Sequence, residues 1–434
     1  MQETREVGLI GAISIGIGGM VGGGIFAVLG EAVSLAHGAT AIAFLFAGLV
    51  ALLTSYSYAK LSVRYQNRGG TVVFIDNAFK KNVLSSSINA MLWLSYLITI
   101  SLYATAFASY AQTFFSADAT PEWIKHLLIT FAIILPALIN LVSASFVSKS
   151  ESLIVIIKVT LLILIIASGI PFIDTERISM AHWEAPLAIV TAGMIIFVAY
   201  EGFELIANAA EDIKEPVKNL PRAFYASVLF VILLYVLISL VTVGVVPEDQ
   251  LMQAKDYALA IAAKPALGQI GFTIVAIAAL LSTFSAINAT IYGNARLGFF
   301  LAKEGVLPKV LSKEKRNIPN IDIFVITFLS LIIANTIELT EIAIIGSAGF
   351  LLIFAIVNMA ALKLSHTIGA NKVIVSVAII SSFAALITLL LHTYSSNPRA
   401  IWVFVSFIGI SILFELFYGR LVRGHFFHRE YDDN

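Results

Sequence analysis

The stretch GLIGAISIGIGGMVGGGIFAVLG, Gly8–Gly30, is apolar enough to lie in a bilayer and too rich in glycine to remain a good helix through it. Gly18, Gly19, Gly22, Gly23 and Gly24 crowd its centre. Each glycine costs about 1 kcal/mol relative to alanine inside a helix, so the run from Gly22 to Gly24 invites unwinding. Unwound backbone at membrane depth must be buried in protein or line a cavity, because bare N–H and C=O groups in lipid are too costly. A break here leaves a half-helix beginning near Gly24, with free N–H groups and a positive dipole end suited to a carboxylate. A packing reading stands beside this one. Gly18 and Gly22, and Gly19 and Gly23, have the small-xxx-small spacing that lets helices approach closely.

The rest of the chain shares the apolar character. Its 434 residues are 59% hydrophobic and 12% charged, against about 45–50% and about 25% for a soluble domain. A spanning helix needs about 20 mostly apolar residues, and twelve such runs occur: 8–34, 39–61, 84–116, 124–142, 151–173, 186–209, 223–246, 268–301, 321–338, 341–363, 371–393 and 399–421. The expected fold is an all-α, polytopic membrane protein forming one transporter domain over 1–434. The outer connection Pro247–Pro265 is expected to place a short helix over the bundle. The first run is longer than a signal-peptide core and has no cleavage site after it, so no cleavable signal is expected. Formal net charge is zero, which argues against a nucleic-acid partner. With no cysteine, disulfides, thiolate metal sites and a cysteine nucleophile are excluded.

Charge placement orients the chain, since Lys and Arg favour cytoplasmic loops. With the N-terminus inside, the inner loops carry Lys60, Arg64, Arg68, Lys80, Lys81, Lys149, Lys214, Lys218, Arg222, Lys303, Lys309, Lys313, Lys315, Arg316, Lys363, Lys372, Arg420, Arg423 and Arg429. The outer loops carry only Lys125, Arg177, Lys255, Lys264 and Arg399. The expectation is a multi-pass protein of a plasma or inner membrane with both termini cytoplasmic.

The sixth run, TAGMIIFVAYEGFELIANAAED, holds Glu201, Gly202 and Glu204 deep in apolar sequence. Ionisable groups at such depth face the bundle interior and mark function. A break at Gly202 would free the carbonyls of Phe197, Val198 and Ala199 at a negative helix end, a seat for an ammonium group. Glu204 reads better as a structural anchor, and Glu201 either lies beside a water-filled path or meets substrate. Interruptions in the first and sixth runs match if 8–173 and 186–363 are repeats of opposite topology, with 371–421 as two added helices; paired breaks are the sequence pointer to a transporter site. A zwitterionic amino acid fits both ends.

Lys158 stands alone in the fifth run, ESLIVIIKVTLLILIIASGI. A buried amine there can carry the coupling proton, with carbonyls near Gly19 or the hydroxyls of Ser282, Thr283 or Ser285 as partners. Against this, Glu151 is about 10 Å away along the helix, within reach of a snorkelling lysine. His37, His126 and His182 lie near loop ends, and the seven histidines have no metal-ligand spacing. Asn140, Asn335 and Asn358 read as interhelical glue, Glu415 as an interfacial partner of Arg420 and Arg423. Tyr56, Tyr96, Tyr103 and Tyr110 either line a path or pack. No phosphate loop, hydrolase elbow or nucleic-acid module appears. No cofactor and no metal are expected, the chain is not expected to be an enzyme, and its oligomeric state is not legible.

Four motifs in order resemble the amino acid–polyamine–organocation superfamily of secondary transporters, and its proton-coupled amino-acid branch: GGGIF at Gly22–Phe26, FVAYEGFE at Phe197–Glu204, EDIKEPVKNLPRAF at Glu211–Phe224 and NARLGFFLAKEGVLPK at Asn294–Lys309. The resemblance implies a five-plus-five inverted repeat with two extra helices, discontinuous first and sixth helices, and alternating access. It implies substrate contacts at Met20, Gly22, Gly23, Gly24 and the carbonyls of Phe197, Val198 and Ala199. It also implies a positive charge from Lys158 where sodium-coupled relatives hold a cation, with Thr283 as neighbour. Some relatives carry a tryptophan gate where this chain has Val198, which points to a different gate. The expected function is import of amino acids over a fairly broad range, mainly small neutral ones, by proton symport; the alternative is exchange of cationic amino acids or polyamines, with Glu201 receiving the extra amine.

Overall fold

The computed structural model describes residues 5–115, 121–142, 144–315 and 318–422, and their side chains except for 144–152 and 422. Arg316, Arg423, Arg429 and the side chains of Lys149 and Glu151 lie outside the described residues. Among the described residues the structure is helical, with isolated β-bridges and no strand.

Every apolar run is helical. The first is two helices, Leu9–Met20 and Gly24–Ala36, bent by 47° at the break. Spans two to five are Thr40–Arg64, Val83–Gln112, Glu122–Val142 and Ala144–Gly169. The sixth is Pro186–Ile195, a 3₁₀ helix Ile196–Glu204 and a last turn Leu205–Asn208. Spans seven to twelve are Pro216–Val245, Lys264–Lys303, Asn320–Thr336, Leu339–Lys363, Lys372–Ser396 and Pro398–Val422. Among the described residues, ten helices are long and apolar enough to cross a membrane, and up to eleven spans result if the bent first pair is taken as one. The ninth run is the short one, an apolar helix of 17 residues.

Local chemistry explains several boundaries. Asn82 caps the third span through a reciprocal box with Ser85, whose N–H lies 3.0 Å from the Asn82 side chain. Prolines 186 and 216 open the sixth and seventh spans, where a missing N–H costs nothing. Gly268 takes φ +62°, a left-handed conformation that glycine allows, and so turns Lys264–Leu267 away from the eighth span proper.

Two groups of helices result. In one, glycines bring spans one, two, six and seven together: Gly16 meets Ser227, Gly48 meets Ile232 and Gly193 meets the Ala43 carbonyl. In the other, hydrogen bonds join spans three, four, eight and nine. Asn294 donates to the Trp93 carbonyl (3.2 Å), Asn140 to Asn288 (2.8 Å) and Ser101 to the Ser330 carbonyl (3.2 Å). Large apolar side chains such as Leu153, Phe328, Trp402 and Phe417 point outward, as lipid requires.

The connection after span seven folds as Glu248–Gln253, Lys255–Tyr257 and Ala258–Ala262. It packs on the second half of the first span, where Gly30 leaves room for the Lys255 carbonyl. The Lys255 ammonium lies 2.6 Å from Glu31, which also accepts from Thr340 (3.0 Å). The connection is therefore pinned to the first span at this end of the bundle. At the other end, Val7 bridges Ile213 through Asp212 and Lys214.

Candidate functional site

The two interruptions touch. A Cβ on Gly202 would lie 2.2 Å from the Gly19 carbonyl carbon, and one on Gly24 would lie 2.8 Å from Ala199 Cα. Glycine at both faces is what lets main chain meet main chain. The Tyr235 hydroxyl ties the pair, donating to the Met20 carbonyl at 2.7 Å with the Ala199 carbonyl 3.4 Å away.

Their internal states differ. Residues 21–23 leave the helix, and the second half-helix starts at Gly24 with no side-chain cap. Ser282 of the eighth span donates to the Gly22 carbonyl. The sixth span does not unwind: it tightens into a 3₁₀ helix from Ile196 to Glu204. A 3₁₀ helix directs each carbonyl at the N–H three residues on, and Phe197, Val198 and Ala199 lie within it. Ser347 stitches the junction, accepting from the Val198 N–H (2.9 Å) and donating to the Ile195 carbonyl (2.5 Å).

A cleft of about 580 Å³, counting its open mouth, runs from the contact between the breaks. Gly18, Gly19, Lys158, Tyr96, Tyr103 and Glu201 line its deep part. Its wall then descends the eighth span from Ser285 to Leu297, with Asn208 opposite, towards the end where Val7 meets Ile213.

Lys158 is 3% exposed, and its ammonium donates to the Gly18 carbonyl at 3.1 Å. It points into the bundle rather than to the headgroups. The carbonyl it meets belongs to the last turn of the first half-helix, where intrahelical partners run out. Ser285 shares the cleft with it, whereas Thr283 turns back to the Ala279 carbonyl of its own helix (2.7 Å).

The two acids of the sixth span have opposite surroundings. Glu204 accepts from three hydroxyls: Tyr96 at 2.5 Å, Thr71 at 2.9 Å and Tyr58 at 3.0 Å. It binds the second, third and sixth spans and the Gly70–Phe79 helix into one network. Glu201 is 4% exposed, with one oxygen 3.5 Å from the Thr99 hydroxyl and the other without a partner.

Of the other expected residues, Gly22 lies beside Ala286, Gly23 beneath the Tyr103 ring and Val198 against Gly346. Phe197 packs edge-on to Phe354. The structure thus brings Gly19, Lys158 and Glu201 to one cleft and leaves Gly22, Gly23 and Gly24 just behind its wall. Tyr96 and Tyr103 line the cleft; Tyr110 instead packs against Phe26, and Tyr56 accepts from the Asn371 N–H at 2.8 Å. Sequence reasoning missed Tyr235 and Ser347. Their signal was a lone aromatic hydroxyl within an aliphatic run, FVILLYVLI, and a hydroxyl within the small-residue cluster GSAG.

A multi-pass helical bundle with a cleft ending at two facing helix interruptions is the architecture of a secondary transporter. The amino acid permease family profile matches residues 7–417, and the chain belongs to that family. It is 32% identical to an uncharacterized protein of Methanocaldococcus jannaschii over 99% of both chains. It is 33% identical to the inner membrane transport protein YbaT of Escherichia coli, over 93% of this chain and 94% of that one. It is 25% identical to the branched-chain amino acid permease BcaP of Bacillus subtilis, over 83% of this chain and 81% of that one. The protein is therefore an amino-acid transport protein of a membrane, and not an enzyme.

Proposed function

We propose that the protein imports small neutral amino acids by proton symport, through alternating access in a five-plus-five inverted repeat (8–173 and 186–363, with 371–421 added). The observation that carries the coupling reading is the Lys158 ammonium on the Gly18 carbonyl at 3.1 Å, in the wall of the cleft. A protonated amine holds the first half-helix by a charge-assisted bond; a neutral one holds it less strongly. Proton release is thereby linked to the position of the first span. The glycines and the bulk of Tyr103 around the breaks favour small side chains. The substrate carboxylate goes to the uncapped half-helix beginning at Gly24, once the breaks separate and Tyr103 lifts from Gly23. With both termini cytoplasmic in a plasma or inner membrane, the cleft opens inward and the Lys255–Glu31 side is the closed outer face.

The test is uptake of labelled alanine into proteoliposomes under imposed gradients. The expected result is stimulation by an inward proton gradient, indifference to sodium, and loss of the stimulation in Lys158→Ala. Full gradient-driven uptake by that variant overturns the coupling role. A second reading, exchange of cationic amino acids or polyamines, draws on the unpartnered oxygen of Glu201. Competition by arginine, agmatine or putrescine, but not by alanine, would favour it.

A further inference from the structure

We infer that Glu201 receives the α-ammonium group of the transported amino acid, in place of the main-chain carbonyls that a broken sixth helix would offer. This rests on the reading of the protein as a transporter of small amino acids.

The carbonyls of Phe197, Val198 and Ala199 lie inside a 3₁₀ helix, and the Ala199 carbonyl also has the Tyr235 hydroxyl beside it. Gly24 packs on Ala199 closely enough to shut this face of the segment. The acceptor left over is the Glu201 carboxyl, on the same segment and in the cleft wall. One of its oxygens is buried without a partner, and the other has only a long contact to Thr99. An unpaired buried polar atom costs about 1–3 kcal/mol, and more where it is charged, unless a ligand completes it. Glu204, three residues on, shows the contrast: its three hydroxyl donors leave nothing for a ligand to do.

Charge selects the ligand group. Lys158 stands in the same cleft, so a positive and a negative side chain face one space, as a zwitterion requires. An ammonium belongs to every amino acid, so this assignment needs no cationic side chain. It makes Glu201 a discriminator between amino acids and acids of the same shape that lack nitrogen.

The experiment is equilibrium binding of labelled alanine to the purified full chain, with lactate as competitor, since lactate replaces the ammonium by a hydroxyl. Wild-type protein is expected to prefer alanine strongly. In Glu201→Gln the alanine affinity falls roughly 10- to 100-fold, as for one lost charge-assisted bond, while lactate is little changed. The ratio of the two affinities therefore collapses, which a merely structural defect, weakening both alike, does not produce. Wild-type protein that binds alanine no better than lactate overturns the inference together with the small-amino-acid reading. An unchanged ratio in Glu201→Gln overturns the inference alone. So does a variant that keeps alanine and loses only lysine or putrescine, because the carboxyl then serves a side chain. If the variant does not fold, carbodiimide modification of Glu201 in the wild type, read by peptide mass, replaces it. Alanine is expected to slow the modification at least about tenfold, and absence of protection overturns the assignment.

Discussion

The first and sixth spans are both interrupted, but not in the same way. The first leaves the helix for three residues and bends by 47°; the sixth stays helical and only tightens, from Ile196 to Glu204. Composition accounts for the difference. Gly22, Gly23 and Gly24 pay the largest entropic cost of helix formation in succession. In the sixth, a single Gly202 lies between Glu201 and Phe203, and the neighbouring Phe197, Tyr200 and Phe203 are wholly buried. Their packing keeps the segment compact, and Glu201 and Glu204, three residues apart, fall on one face of it. One break thus supplies an uncapped helix start, and the other supplies side chains. The two ends of a zwitterion would then be read by different kinds of group.

The strongest way to break this comparison is to force the interruptions apart. Gly202→Ala puts a methyl 2.2 Å from Gly19 main chain, where nothing flexible can yield. It is expected to abolish uptake and to cost about 3 kcal/mol, the upper end for overpacking, read as a lowered thermal midpoint. An active, wild-type-stable Gly202→Ala would mean that the breaks do not meet. Next in size is Glu204→Gln. Exchanging a carboxylate for an amide weakens three hydroxyl bonds and is expected to cost about 1–3 kcal/mol. Glu201→Gln gives up little in the empty protein, so it should be more stable than Glu204→Gln by at least about 1 kcal/mol, read as the higher thermal midpoint. Equal midpoints would erase the distinction between the two acids. The smallest effect is expected at Gly22→Ala, whose methyl would lie 3.1 Å from that of Ala286. It should change stability by less than about 1 kcal/mol and slow uptake only modestly, whereas a complete loss would show that the Gly22 main chain itself must be approached by substrate.

Much of this was legible in advance, and the reason is the solvent. In lipid, each span must be apolar over about 20 residues and must satisfy its own backbone, so the runs, the glycine break and the stray ionisable groups all stand out from their neighbours. The ninth run shows the limit. Its apolar stretch is plain, yet the helix is only 17 residues long, because it ends at Thr336, where Ile337 turns to extended backbone. The pairing of the breaks was legible as a coincidence of position only. That Gly19 faces Gly202 and Gly24 faces Ala199 depends on two helices far apart in sequence.

Sequence alone determined the class of fold, the location of both interruptions and the short set of charged residues that could matter, since burying a glycine triplet or a lone lysine in a membrane is costly wherever the chain goes. Only the tertiary structure decided what each of those residues does. Glu201 and Glu204 are alike by composition and depth, and are separated only by neighbours from other spans: three hydroxyls gather on Glu204 and one distant hydroxyl lies near Glu201. Hydrogen-bond satisfaction is a property of convergence in space, and no local pattern along the chain encodes it.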